Sequence, residues 1–213
     1  MVDYPLYAKV QEANKIRAAK NINIFLLYQL IVDIDDKGTN LLYILMNPSR
    51  ADSIQCDDAV KDILEFTKNN LLENGFIKRV KTVVIVNLFP FYETKPDHLH
   101  EVIAELKQNL KDDKYLKLMK KNMEIIKKNI KEADYIVLGW GDLPKKVNAW
   151  EHREITSEIL QAINDEGNKN AFVFDFENGE SITKSLNPCY PAFNRKLTGL
   201  NSCKIVSVNM VKL

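Results

Sequence analysis

The sequence contains few of the features that mark specialised classes of protein. Three cysteines and no CxxC pair occur among the 213 residues, so reduced thiols in a cytoplasmic protein are the simplest expectation. The formal net charge is only +1, which disfavours a large nucleic-acid interface held by charge alone. A short contact with nucleic acid that is centred on a base is still compatible with this charge. No apolar run is long enough to cross a membrane, and the amino terminus does not resemble a secretory signal. We therefore expect a cytoplasmic protein without membrane contact.

Motifs for cofactors and for activated nucleophiles are missing as well. There is no GxGxxG, no Walker A sequence and no GxSxG, which argues against dinucleotide, P-loop and α/β-hydrolase sites. The histidines His98, His100 and His152 lack ligand spacing with cysteines and are expected to face solvent. Cys56 and Cys189 lie beside polar motifs, but we interpret both as small, partly buried residues. We expect no cofactor and no metal.

What the sequence does contain is one pattern that occurs three times, a short apolar run followed directly by polar residues. Each run is too short for a typical helix and is typical of a buried strand. Because ligands of open α/β sheets bind where the carboxyl ends of strands converge, the pattern predicts a site at one rim of a sheet. The runs with their polar residues are Leu41–Met46 with Asn47-Pro48-Ser49-Arg50-Ala51-Asp52, Val83–Val86 with Asn87-Leu88-Phe89-Pro90, and Tyr135–Leu138 with Gly139-Trp140-Gly141-Asp142.

Strands alternate with helices along the chain, which predicts a three-layer α/β/α sandwich with a mostly parallel central sheet in a single domain over residues 1–213. Turn residues at 35–40 predict an N-terminal hairpin between the β-rich segment and the first motif strand. Asp57 and Asp58 begin a helical stripe that Gly75 is expected to end, and Asp97 is expected to cap the next helix. The remaining predicted elements are helices over 5–20, 99–110, 115–131 and 150–164, strands over 22–34 and 171–176, and an edge strand over 206–210.

Two asparagines at strand ends are the main candidates for ligand recognition. The amides of Asn47 and Asn87 can each donate and accept a hydrogen bond, which suits the edge of a nucleobase or of another amide. For Asn47 the alternative is that its side chain holds its own turn before Pro48. For Asn87 the alternative is a hydrogen bond to the neighbouring loop backbone, because a buried amide needs partners.

Other residues of the three motifs have both a functional and a structural interpretation. Ser49 and Asp52 suit turns and caps, while Asp52 could instead orient a water as a base. Arg50 could pair with an anionic ligand or with a nearby aspartate. Phe89, with the aromatic residues after it, could form a stacking wall or belong to the core. Trp140 lies between two glycines, which let the backbone approach a ligand closely or turn tightly.

Taken in order, the motifs resemble an uncharacterised bacterial and phage family of unknown function. The family pattern runs NPSxAD, DDxT, NLFxxxxTxP, WG and a terminal HP, and the likeness spans about residues 40–192, the motif-bearing core. Ala59 replaces the threonine of the second motif, and Tyr190 replaces the expected histidine. The matching residues are Asn47–Asp52, Asp57-Asp58-Ala59, Asn87-Leu88-Phe89 with Thr94 and Pro96, Trp140-Gly141, and Asn187–Pro191.

More distantly, the chain resembles the uracil-DNA glycosylase superfamily, which shares an LLLN strand end, an LLWG strand end followed by lysine, and a final HPS loop. The resemblance implies that Asn87 reads the edge of a base. It implies that Asp52, with Asp57 as second choice, positions a water or supports positive charge on the sugar. It also implies that the loop 187–191, with Tyr190, lies over the leaving base. At pH 7 a tyrosine is a neutral and weaker substitute for the histidine that stabilises a departing base anion.

Three functions are compatible with these patterns. The first is a protein that binds a nucleobase or nucleotide, with hydrolysis of an N-glycosidic bond as its catalytic form. The second is a binding module for such a ligand, or for nucleic acid, without catalysis. The third is a protein-interaction component that uses the lysine-rich face of the 115–131 helix. That face is otherwise a solvated surface balanced by nearby acids.

Overall fold

Helices and strands alternate over residues 58–176 of the computed structural model, which describes residues 1–48, 50–69, 77, 79–110, 112–167, 170–191, 196–207 and 210–212. The predicted α/β class is confirmed. The helices are α1 Asp58–Asn69, α2 Leu99–Asn109, α3 Asp112–Glu132 and α4 Ala149–Asp165, with a short 3-10 helix Pro96–His98 before α2. The strands are β1 Val2–Asp3, β2 Lys9–Glu12, β3 Ile16–Ala19, β4 Ile22–Leu26, β5 Gln29–Asp33, β6 Thr39–Leu45, β7 Gln55–Cys56, β8 Val80–Asn87, β9 Tyr135–Gly139, β10 Asn170–Phe176, β11 Leu197–Ser207 and β12 Met210–Lys212.

In the described part of the chain, eight strands form one mixed sheet in the order β12-β11-β10-β9-β6-β8-β5-β2. Its four central strands, β10, β9, β6 and β8, run parallel, so the motif strands are parallel and central as predicted. The outer strands pair antiparallel, so the sheet is mixed rather than mostly parallel. Their connections carry no crossover helix among the described residues, and parallel pairing requires such a crossover.

Each face of the sheet carries its own apolar core. On β6, Leu42 and Ile44 pack in a cluster with residues of α2, α3 and α4, whereas Leu41, Tyr43 and Leu45 pack in a cluster with α1. We call these the α2–α4 face and the α1 face. Because successive side chains of a strand point to opposite faces, a shift of one residue at a strand end moves a side chain from one face to the other.

The predicted helix over residues 5–20 is wrong. This segment forms β2, which pairs with β5 at the sheet edge, and β3, which pairs with β4 in a separate two-stranded hairpin. The hairpin turns at Lys20 and Asn21. Stretches of four residues carry too little periodicity to distinguish a strand from a helix, so strand pairing decides the outcome.

The predicted hairpin between β5 and β6 has the wrong pairing. Both strands pair with β8, which lies between them, antiparallel to β5 and parallel to β6. The connecting loop crosses the start of β8, where the N–H of Ile34 donates to the carbonyl of Lys81 at 2.8 Å. At its far end the N–H of Thr39 donates to the carbonyl of Arg79, also at 2.8 Å. The turn residues reverse the chain as predicted, but the loop spans an intervening strand.

The predicted helix starts have different outcomes. Asp57 caps α1, because its Oδ1 accepts a hydrogen bond from the N–H of Val60 at 2.9 Å. Asp97 does not cap α2, since the 3-10 helix precedes α2 and the carboxylate of Asp97 instead accepts from Lys145 Nζ at 2.8 Å. Gly75, the predicted end of α1, lies outside the described residues.

The remaining elements follow the prediction closely. α3 and α4 cover the predicted 115–131 and 150–164 helices, and β10 covers the predicted strand 171–176. The carboxyl-terminal strand divides into β11 and the edge strand β12. No helix among the described residues is both long and apolar enough to cross a membrane.

Candidate functional site

The carboxyl ends of three central strands meet at one rim. Leu45 of β6 stands opposite Asn87 of β8 on one side and opposite Gly139 of β9 on the other. Counting by twos from Leu45, Asn47 and Asn87 point to the α1 face, whereas Trp140 points to the α2–α4 face and belongs to its core cluster. The rim predicted from the sequence therefore exists, but the sheet divides its residues between two faces.

A small cavity on the α1 face, which we call the asparagine cavity, gathers several of the predicted residues. Its volume is about 20 Å³, room for a single water molecule, which needs roughly 10–15 Å³. Apolar residues of β5, β6, β8 and α1 form the rest of its wall. The polar side of the cavity is lined by Asn47, Asp57, Asn87 and Tyr190, beside Pro48 and Ala51.

The side chain of Asn47 holds the motif loop. It is 6% exposed, and its Nδ2 donates to the carbonyl of Glu93 at 2.7 Å and to that of Pro48 at 3.1 Å. A further hydrogen bond runs from the N–H of Glu93 to the carbonyl of Pro48. The structural interpretation of Asn47 therefore applies to its donor side, while the side chain still borders the cavity.

Asn87 is the more available amide. It is 2% exposed, lies at the last position of β8 and borders the cavity. Its backbone carbonyl accepts from Asn122 Nδ2 at 2.9 Å, which fixes the strand end from the opposite face. Among the described residues its side chain makes no hydrogen bond to the neighbouring loop. A buried amide in this situation favours a hydrogen-bonding ligand or an ordered water.

Asp52 is occupied in its own turn. Its Oδ1 accepts from the N–H of Ile54 at 2.9 Å and from that of Gln55 at 3.0 Å, and it does not border the cavity. Partial burial raises the pKa of Asp52, but those two hydrogen bonds and the charge of Lys15 outweigh it and hold the pKa below its ordinary value. The carboxylate is thus ionised and only weakly basic.

Asp57 combines a structural contact with a place in the cavity wall. Its Oδ1 caps α1, and its Oδ2 accepts a long hydrogen bond of 3.4 Å from the N–H of Arg50. Both aspartates lie near Tyr4 and Tyr92. Burial and then the two negative charges raise the pKa of Tyr92, and burial, Cys56 and then the two aspartates raise that of Tyr4. Negative charge therefore gathers on this side of the rim.

Tyr190 closes the cavity on its outer side. Burial, followed by the charge of Asp57, raises its pKa, so the phenol stays protonated. Its backbone approaches Gly141, whose φ is 74° and where an added Cβ would lie 3.1 Å from the Cβ of Tyr190. The N–H of Gly141 also donates to the carbonyl of Pro188 at 2.8 Å. The glycine thus allows the close approach of the 187–191 loop, of which Tyr190 borders the cavity.

The remaining predicted contacts lie elsewhere. Phe89 is completely buried in the core of the α2–α4 face, so the core interpretation applies to it. Arg50 is exposed. Gly139 makes room for the ring of Phe174, which an added Cβ would approach to 2.4 Å. Ser49 lies outside the described residues.

Trp140 borders a different and larger pocket, which we call the tryptophan pocket. Its volume is about 260 Å³, and it lies between the start of α4 and the turn at 183–188. His152, which was expected to face solvent, is only 6% exposed and borders this pocket, so that prediction is wrong. Burial lowers the pKa of His152, although the charge of Asp142 opposes the shift. No sequence motif marked His152, because its burial depends on α4 packing over β9.

The lysine-rich face of α3 is balanced by acids. Lys117 pairs with Asp113 at 3.6 Å and Lys128 with Glu132 at 3.9 Å along the helix. Lys127 reaches Glu158 of α4 at 2.7 Å. These pairs favour a solvated surface over a phosphate-binding stripe.

The cysteines are unsuited to nucleophilic roles. Cys56 and Cys189 are buried, more completely than expected. Burial raises the pKa of Cys56 to about 11, with the charge of Asp57 adding to the shift. A protonated thiol is a poor nucleophile.

The fold and the rim define an α/β protein with a polar site at the carboxyl ends of its parallel strands. A family model described as "Protein of unknown function (DUF1643)" matches residues 28–191, well over half of the 213 residues, and the chain belongs to this family. No curated protein and no solved structure matches the chain significantly. Since the family description gives no activity, the function has to be argued from the site.

Proposed function

We propose that this protein binds a nucleobase or nucleotide at the asparagine cavity. The observation that carries the proposal is the meeting of two buried strand-end amides, Asn47 and Asn87, with Tyr190 and Asp57 around one cavity. Asn87 offers both a donor and an acceptor, as the edge of a base requires. The resemblance to uracil-DNA glycosylases gives Asn87 the same role, and a three-layer fold of that type is part of the proposal.

Binding of a base requires the cavity to open. At about 20 Å³ it holds a water molecule but no planar ring. The covering residue Tyr190 belongs to the loop 187–191, so displacement of this loop is the simplest route to a larger pocket. Once displaced, the ring of Tyr190 would give a bound base an aromatic surface on which to stack.

Hydrolysis of an N-glycosidic bond is the catalytic form of this proposal. Water would add to the sugar carbon while the base leaves with the bonding electron pair and takes up a proton. The positive charge that develops on the sugar favours a nearby carboxylate. Asp57 is better placed than Asp52 for this role, because it borders the cavity whereas Asp52 holds its own turn.

Binding without catalysis is the second candidate, and Tyr190 is the observation that favours it. A buried, protonated phenol can donate a hydrogen bond to a departing base but cannot offer the positive charge of a histidine. We expect hydrolysis to be slow or absent in the wild-type protein and to increase in Tyr190→His.

The proposal is tested by thermal unfolding with nucleobases, nucleosides and short oligonucleotides, followed by a base-release assay on those that bind. Binding should raise the unfolding temperature in proportion to ligand concentration, because the ligand binds only the folded state. Asn87→Ala should reduce the increase at the same ligand concentration, because it weakens binding. An unfolding temperature that no member of the panel changes would reject the proposal, and binding without released base would select the non-catalytic form.

A further inference from the structure

The tryptophan pocket holds two buried polar atoms that its surroundings do not satisfy. Trp140 is 2% exposed and His152 is 6% exposed, and both side chains border the pocket. Neither Trp140 Nε1 nor His152 Nε2 has a hydrogen-bond partner among the described residues. A buried polar group without a hydrogen-bond partner destabilises the fold. Two of them beside one cavity therefore indicate a ligand.

The chemistry of the pocket selects the ligand. The indole Nε1 is a donor only, so it requires an acceptor atom. Arg153 of α4 also borders the pocket, with a guanidinium that pairs with no acid among the described residues. Asp142, whose charge acts on His152, already accepts from Asn187 Nδ2 at 2.9 Å and from the Thr183 hydroxyl.

One wall of the tryptophan pocket is formed by the turn at 183–188. Leu186 borders the pocket, is exposed, and has a φ of 64°, which is unfavourable for a branched side chain. Its N–H donates to the carbonyl of Thr183, and the turn contributes Ser185 and Asn187 to the pocket as well. A ligand that reaches the two nitrogens would have to pass or displace this turn.

From this geometry we infer that the tryptophan pocket binds a small organic anion. A carboxylate or phosphate oxygen accepts from Trp140 Nε1 and pairs with Arg153, while the body of the ligand contacts Leu143 and Pro188. The site is separate from the asparagine cavity, because Trp140 lies on the opposite face of the sheet. The inference does not rest on nucleobase binding, although the two sites share the loop 187–191, which contributes Asn187 and Pro188 to this pocket and Tyr190 to the cavity.

The two tryptophans of the chain make the test direct. Trp150 is 75% exposed and does not border this pocket, so its indole N–H is an internal control for that of Trp140. The indole N–H resonances are recorded in a ¹⁵N-labelled sample during titration with potassium succinate, potassium phosphate, uncharged succinamide and potassium chloride. Trp150→Phe assigns the two resonances.

The expected result is a saturating shift of the Trp140 resonance with succinate or phosphate, while Trp150 is unchanged. Whichever anion gives the shift identifies a carboxylate or a phosphate as the ligand group. Arg153→Gln should weaken the binding by about tenfold or more, which corresponds to about 1.4 kcal/mol. Lys184→Gln, which removes an exposed charge of the same turn outside the pocket, should leave the affinity unchanged.

Three results would overturn the inference. The first is a Trp140 resonance that moves no further with either anion than with chloride into the millimolar range. The second is an equal response to succinamide, which would remove the role of charge. The third is an Arg153→Gln variant with wild-type affinity.

Discussion

The asparagine cavity and the tryptophan pocket lie at the same edge of the sheet but differ in how they are built. The first is small, about 20 Å³, and one of its amides, Asn47, is held by backbone carbonyls. The second is larger, about 260 Å³, and leaves two buried nitrogens without partners among the described residues. The motif pattern identifies the first region, whereas only the packing of α4 identifies the second. Sequence motifs and unsatisfied polar groups thus point to different sites.

The largest expected effect concerns Asp57, the aspartate that borders the asparagine cavity. If the wild-type protein releases a base, Asp57→Asn should reduce turnover by about 100-fold or more, the usual loss when one group that stabilises charge in the transition state is removed. Asparagine caps a helix as well as aspartate does, so the variant removes charge while keeping α1. Steady-state base release measures the effect.

Asp52→Asn is the matched control, because its Oδ1 can still accept from Ile54 and Gln55. It should change turnover by less than the Asp57 variant. A larger loss of turnover in Asp52→Asn than in Asp57→Asn would show that Asp52 is the catalytic carboxylate.

Asn87→Ala should weaken the binding of a base at the asparagine cavity without changing the binding of anions at the tryptophan pocket. Loss of a hydrogen-bonding amide in a buried site costs roughly 1–3 kcal/mol, or about 5- to 150-fold in the dissociation constant for a base. Asn87→Asp, which keeps the size but loses the donor, should have an effect of similar size. Isothermal titration calorimetry measures both.

Trp140→Phe is the control on the other face of the sheet. It should leave the affinity for the base unchanged and weaken the binding of succinate or phosphate, both measured by isothermal titration calorimetry. If it weakens base binding as strongly as Asn87→Ala, the division into two sites is wrong.

Asn47→Ala should destabilise the fold. It removes hydrogen bonds to Glu93 and Pro48 from a buried position, which should lower the free energy of unfolding by about 1–3 kcal/mol in urea denaturation. Asn109→Ala removes a similar bond to the carbonyl of Glu105 from an exposed helix position. That variant should change stability by less than about 0.5 kcal/mol. Equal effects would mean that Asn47 does not hold the motif loop.

His152→Leu should have the smallest effect on stability at neutral pH, within about 1 kcal/mol, because the buried imidazole nitrogen lacks a partner. The substitution should, however, change how the free energy of unfolding depends on pH. Burial lowers the folded-state pKa of His152 below 6.5, so the unfolded chain binds a proton first as the pH falls. Wild-type stability should therefore decrease as the pH falls below about 6.5, until His152 also titrates in the folded state.

That decrease should be smaller in His152→Leu than in the wild type, measured by urea denaturation at about pH 7.5 and 5.5. A slope that is unchanged in His152→Leu would contradict the buried, neutral imidazole.

The sequence predicts the central strands and their shared rim, because apolar runs followed by polar residues leave little choice of element. It does not predict the division of the rim, since Asn87 and Trp140 differ by one residue in strand phase and therefore face opposite sides. The β5–β8 pairing is also missed, because turn residues specify a reversal of the chain but not which strand lies between. Burial of His152 depends on how α4 packs, which no local pattern encodes.

The most direct test of the central claim is a crystal structure of the protein soaked with nucleobases and nucleosides. The account predicts a base whose polar edge lies within hydrogen-bond distance of the Asn87 amide, with Tyr190 displaced or stacked on the ring. A base bound only elsewhere, or an asparagine cavity still closed by Tyr190 at saturating ligand, would contradict the claim.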